Sequence, residues 1–149
     1  MKVRIVSVRE KQFLVCFKCG LWGANNVHIS KWEIGDVLIF KIGKYIVGTA
    51  EVTGESYMDD AVIWDNGLFW NRLPIQFNYM LQKEDYLSID CGIKDLLINE
   101  WGKNYGWGIL NKMPLEDGTT QFILNELGKK PNSMNYYKQY IDGLVEAIS

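Results

Sequence analysis

The sequence of 149 residues has a single histidine, three prolines and three cysteines, and its 16 basic residues are outnumbered by 18 acidic ones. Each shortage excludes something. A Ser/His/Asp or Cys/His device would have to use His28, which lies between Val27 and Ile29 in what reads as a short strand, where an imidazole more often packs or faces solvent. An odd cysteine count suits a reducing compartment, not a disulfide framework. A net charge of −2 and a pI of about 5.4 argue against wrapping long duplexes by phosphate neutralisation, but leave room for a small footprint with a few cations around one pocket. Such cations are expected in residues 1–60, where Lys and Arg outnumber Asp and Glu 8 to 7, against 8 to 11 afterwards. No apolar run approaches the ~18 residues of a membrane-spanning helix. The opening Met1-Lys2-Val3-Arg4 reads as a strand with no signal-peptide core, so a cytoplasmic location without membrane partners is expected. There is also no glycine-rich phosphate loop, HExxH or GxSxG.

What is present is an ordinary hydrophobic share, 48%, and 13% aromatics with 6 Trp and 8 Tyr. That is enough for one core without staples. Val3 to Val8 alternates and is β-branched, a first strand. Glu10 to Lys18 carries a short helical face ended by Gly20. Residues 21–26 read as a loop and 27–29 as a short strand. Strands follow at about 37–42 and 45–54, joined by a tight turn at Gly43. Residues 55–60 read as a polar loop. Leu68 to Tyr79 is extended, with Pro74 marking an edge or bulge. Short helices are expected at 92–100 and 116–127, with a loop at 99–108 between them. A linker follows at 129–133, then a final amphipathic helix at 134–148. Strands in the first eighty residues and helices afterwards, without β-α-β alternation, predict an α+β fold built on a small curved sheet or barrel.

Cys16-x-x-Cys19 with Cys91 and His28 makes a Cys3His inventory, enough for one zinc. The two cysteines sit in a helix and the others are far away in sequence, so free thiols are the expectation, with no metal and no cofactor. Asp59-Asp60 and Glu116-Asp117 read as solvated acids, the second pair favoured at a helix start. The aromatics of loops and strand ends, Trp22, Trp64, Phe69 and Trp70, are the remaining candidate. Trp32, Trp101 and Trp107 are assigned to packing.

Gly20-Leu21-Trp22-Gly23, then Gly35-Asp36, Val47-Gly48-Thr49-Ala50-Glu51-Val52, Ile63-Trp64 and Leu68-Phe69-Trp70-Asn71-Arg72 resemble, in order, the EVE domain of the PUA-like superfamily, which is related to YTH domains. The resemblance covers residues 1–128, leaving 129–149 as linker and C-terminal helix. It implies a PUA-like curved β-barrel flanked by short helices, and an aromatic cage that receives a modified base flipped out of its strand. By that likeness Trp22 is one wall, Trp64 another and Leu68, Phe69 and Trp70 the third. Gly23, Asn25 and Asn26 supply hydrogen bonds, Gln12 stands at a base-contacting position, and Asp117 is an acidic contact. Val8 departs from the asparagine that YTH domains carry there.

Similar domains serve as the N-terminal target-recognition module of McrB-like proteins in modification-dependent restriction, which implies for this chain a modified, and by expectation methylated, base in DNA. The likeness therefore implies a non-catalytic reader, with an AAA+ motor and a nuclease subunit outside this chain. The alternative is an RNA-binding PUA-like domain reading a modified or plain base. An enzyme acting on a small molecule is the weakest alternative, because the set contains no evident nucleophile or general base.

Overall fold

The apolar runs at the start of the chain are long because their strands are covered on both faces. The computed structural model describes residues 1–25 and 27–148, without the side chains of Val27 and His28. The elements in chain order are β1 (Val3–Ser7), α1 (Glu10–Cys19), β2 (Leu21–Ala24), β3 (Val37–Ile42), β4 (Tyr45–Val52), β5 (Tyr57–Met58), β6 (Asn71–Met80), β7 (Leu87–Ser88), α2 (Ile93–Trp101), α3 (Tyr105–Leu110), α4 (Asp117–Gly128) and α5 (Met134–Ala147). The sheet runs β1-β3-β4-β6-β2, with β5 on β6 and β7 on β4. β1 and β3 are parallel; the other pairings are antiparallel. The result is the expected α+β architecture, a curled half-barrel with short helices around it.

Alternation along the strands sorts side chains into two cores. Val6, Leu38, Phe40, Val47 and Ala50 join Phe13, Trp22 and Phe77 in one, closed by α1 and by Tyr137 of α5. Val3, Ile5, Ile39 and Ile46 join Ile93, Leu97, Ile109 and Ile123 of α2, α3 and α4 in the other. A sheet sandwiched in this way needs apolar residues at successive positions, which is the pattern these strands carry.

The loop expected at 21–26 is in part a strand. Gly20 ends α1 in the left-handed conformation, φ 65°, and reverses the chain so sharply that β2 begins at the next residue and pairs with the first half of β6. Pro74 is not on an outer edge: β6 pairs with β4 from Ile75 onward and with β2 up to Pro74, so the proline stands at the changeover. The strand expected at 27–29 is a 3-10 turn, Val27–Lys31. Residues 55–60, expected as loop, contain β5, and 99–108, also expected as loop, holds the start of α3.

The segment 129–133 is tied to β6. Ser133 N–H donates to Met80 O at 2.7 Å, Asn132 Oδ1 accepts from Met80 N at 3.2 Å, and Tyr79 donates its hydroxyl to Lys130 O. The buried Tyr137 then donates to Leu81 O at 2.7 Å, so α5 packs on the same core as α1. Among the described residues no helix is long and apolar enough to cross a membrane.

Candidate functional site

Gly23 is the floor of the candidate site. A Cβ there would lie 2.7 Å from Trp64 Cη2 and Cζ3 and 2.7 Å from Phe69 Cβ. The missing side chain thus leaves the space into which the loop before β6 lays its rings. Trp64 is 2% exposed and meets Phe69 edge-on, ring centroids 5.6 Å apart. Phe69 holds its backbone at φ 46°, a conformation few non-glycine residues adopt. Its N–H donates to Asn25 Oδ1 at 3.0 Å, which fixes the loop to the end of β2.

Arg72 anchors this loop from beneath. It is fully buried and donates to the carbonyls of Phe69 at 3.3 Å, Leu68 at 3.2 Å and Ala61. Its guanidinium carbon lies 5.4 Å from the Trp64 ring centroid. Its nearest carboxylate is Asp59 at 3.7 Å, longer than a hydrogen bond. The buried side-chain polar atoms left without a partner among the described residues are Trp22 Nε1, Trp64 Nε1, Asn66 Oδ1 and Arg72 Nη1. All belong to this loop, to its anchor, or to the residue beside Gly23.

Trp22 stands differently from the other walls. Successive residues of a strand point to opposite faces, and while Gly23 faces Trp64, the Trp22 ring packs edge-on against Phe40, centroids 6.0 Å apart. No ring contact joins Trp22 to Trp64 among the described residues. Trp22 is 3% exposed and part of the barrel core, so in this state the two indoles do not form facing walls. Gln12 is close but occupied: its Oε1 accepts from Arg9 N–H at 3.3 Å, capping α1, and from Asn66 Nδ2 at 3.2 Å. Leu68 is exposed on the loop, and Trp70 turns toward Met58, Asp59 and Asp60, with which it lines a separate hollow. Asp117 is an exposed residue at the start of α4. Leu115, two residues earlier, bonds to Val3 at the beginning of β1, whereas α1 and Gln12 follow the end of that strand, roughly 16 Å away at ~3.3 Å per residue. Asn26 lies outside the described residues.

Two residues essential to this arrangement, Asn66 and Arg72, were not expected as site residues. Asn66-Gly67 reads as a turn, and an arginine at a strand start gives no sign that it will be buried. Cys16 lies beneath the site; burial pushes its thiol up to about 12, with the Trp64 indole opposing part of that rise. Cys19 and Cys91 are exposed free thiols, and no group of three or more His, Cys, Asp or Glu side chains is placed to hold a metal among the described residues.

No family model matches the sequence, and no curated protein does. Solved structures do share the fold. The YTH domain of the Zygosaccharomyces rouxii MRB1 protein, in complex with N6-methyladenosine RNA, matches with a TM-score of 0.66 and 12% identity over 89% of this chain and 90% of that one. The Toxoplasma CPSF4-YTH domain in apo form matches with a TM-score of 0.66 and 9% identity over 88% of both chains. A hypothetical protein from Leishmania major matches with a TM-score of 0.61 and 14% identity, over 87% and 96%. At these identities the likeness is one of fold: the chain has the YTH-like α+β fold.

Proposed function

We propose that the chain is a binding module for a modified base of a nucleic acid, taken up where Trp64 and Phe69 now cover Gly23. The observation that supports this is that the loop over Gly23 and its anchor keep buried side-chain polar atoms without a hydrogen bond among the described residues: Trp64 Nε1, Asn66 Oδ1, and Arg72 Nη1 with only Asp59 at 3.7 Å, while Trp22 Nε1 is a further such atom on the other face of β2. A buried polar group without a partner costs ~1–3 kcal/mol, and folded proteins seldom retain several together without a use for them. A flat heterocycle with ring-nitrogen acceptors and an exocyclic amine complements that set. The rings around it would supply stacking, ~1–3 kcal/mol per base, against the few kcal/mol of lifting the base from its neighbours. Entry requires Trp64 and Phe69 to leave Gly23, so the described state is the closed one.

The finer reading is methylated DNA, with the chain targeting an AAA+ motor and a nuclease subunit of a restriction system; it rests on the ordered motif likeness from Gly20 to Arg72. The second reading is RNA, favoured by the shared fold with a YTH domain solved on N6-methyladenosine RNA. Matched ribose and deoxyribose oligonucleotides carrying methyladenine, methylcytosine, hydroxymethylcytosine or no modification decide between them. Tighter binding of one modified strand is expected, and weaker binding of that strand in Trp64→Leu and Asn66→Ala. Equal affinity for modified and unmodified strands of both sugars defeats the proposal. Trp22→Ala is a poor probe of binding, because emptying a core indole costs ~3–5 kcal/mol of stability on its own.

A further inference from the structure

A cleft of about 1120 Å³ lies apart from the Gly23 site, between the end of β1, the end of β3 and α3. Its walls carry Lys41, Lys103 and Lys112 together with Trp101, Tyr105 and Trp107, and no carboxylate lines it among the described residues. None of these three lysines is in an ion pair among the described residues, whereas Lys11, Lys18, Lys44, Lys83 and Lys129 all are. In a chain of net charge −2, an unopposed lysine trio beside aromatic rings is a local exception. Trp107 is 63% exposed, which leaves its ring available to a partner. Trp101 packs against Gly108, where a Cβ would come within 2.5 Å of the indole, so the two helices hold the wall rigidly.

Lys112 is held in an unusual way. Met113 N–H donates to Gly108 O and Lys112 N–H to Ile109 O, both at 3.0 Å, the hydrogen-bond pattern that closes a helix with a left-handed residue. That residue is normally glycine, yet here it is Lys112, at φ 53°. The strained backbone gives up stability and presents an amine to the cleft.

We propose that this cleft holds a single-stranded polynucleotide flank, with Lys41, Lys103 and Lys112 on its phosphates and one base stacked on Trp107. The inference rests on the base-reading proposal and names what would grip the strand beside the read base. The connection is short: Val8 N–H donates to Lys41 O at 2.9 Å, and α1, which begins at Glu10, carries Gln12 to Asn66. Burial lowers the pKa of Lys41 and Lys112, and bound phosphates would oppose that shift. A cleft that combines cations with a stacking ring suits single strands, which expose both phosphate and base faces.

The test uses unmodified oligo(dT) and oligo(U) of about ten nucleotides, titrated across salt concentrations by fluorescence anisotropy. Trp107→Ala should weaken binding of both strands roughly 5- to 150-fold, the usual range for losing one stacked base. The combined Lys41→Gln, Lys103→Gln, Lys112→Gly variant should reduce the slope of log K against log salt by about 2, at ~0.7 per lost phosphate contact. Lys112→Gly alone should melt at or above the parent temperature while binding more weakly, which a merely structural lysine would not do. The ratio of affinities for modified and unmodified strands should persist in the lysine variant, so failure of the cleft and failure of the base site are read separately. If Trp107→Ala and the lysine variant bind as the parent does, or if the parent binds ten nucleotides no better than one, the proposal is overturned.

Discussion

Substituting Gly23 by alanine tests the closed site directly. The added methyl carbon would sit 2.7 Å from two carbons of the Trp64 ring and 2.7 Å from Phe69 Cβ, while carbon atoms rest at about 3.5–4.0 Å. Nearly an ångström must therefore be recovered. Trp64 has little room to yield: it is 2% exposed, edge-on to Phe69 and next to the fixed Arg72 guanidinium. Phe69 is pinned by the Asn25 hydrogen bond. Overpacking of this kind costs ~1–3 kcal/mol. For a chain of this size that lowers Tm by about 2–12 °C. The displaced indole should also shift tryptophan emission to the red. Thermal melts by circular dichroism and emission spectra of the two proteins measure both effects. A Gly23→Ala protein with the parent's Tm and emission would mean that Trp64 does not rest on Gly23 in solution, and the closed-site reasoning would fall.

Three other expectations are independent of the ligand. The Asp36 carboxylate accepts from Lys2 N–H at 3.0 Å, Glu33 N–H at 3.1 Å and Arg4 Nη1 at 2.9 Å; burial raises its pKa, but these donors and the Arg4 charge outweigh that and hold it below the usual range. Its stabilisation is complete above the unfolded value of ~3.9 and is lost as pH falls through the lower folded value, so Asp36→Asn should lower the urea midpoint at pH 7 and flatten the acid limb, and an unchanged acid limb would refute the assignment. Tyr137→Phe removes the bond to Leu81 O and should cost ~0.5–1.5 kcal/mol in chemical denaturation, with no change expected only if α5 is not docked. Thiol titration at mildly alkaline pH should find Cys19 and Cys91 reactive and Cys16 silent until the protein opens, given its burial and its pKa pushed up to about 12; rapid labelling of Cys16 would contradict the packing under Trp64.

The framework was legible because its signals are local. Val3 to Val8, Val37 to Ile42 and Tyr45 to Val52 are rich in β-branched and aromatic residues, and Gly20 marks the end of α1 at the residue where the helix stops. The site was legible only in part. Gly23, Trp64, Phe69 and Asn25 do come together, but which face Trp22 takes depends on the strand phase of 21–24, and that strand exists only because β6 pairs with it. The same long-range dependence conceals Arg72, whose burial follows from the loop closing over it. Trp107 was assigned to packing, yet α3 exposes it: a six-residue helix among three glycines has too few apolar positions for periodicity to say which side faces out.

The composition of the unpartnered set also bears on how strongly a methyl group could be discriminated. Burying one methyl contributes only ~0.8 kcal/mol, about fourfold, too little for a reader. The set has one acceptor, Asn66 Oδ1, against three donors. A monomethylated exocyclic amine has a single N–H and can satisfy that acceptor completely. An unmodified amine brings a second N–H into the same closed space, and leaving it unpaired costs ~1–3 kcal/mol. The two effects together give roughly 20- to 600-fold preference for the methylated base. A dimethylated amine fits the rings but leaves Asn66 Oδ1 unpaired, so it loses much of that gain. Discrimination in such a site comes less from attraction to the methyl than from the scarcity of acceptors, and Asn66→Ala, which leaves one further N–H unpaired on either base, should weaken methylated and unmodified strands alike.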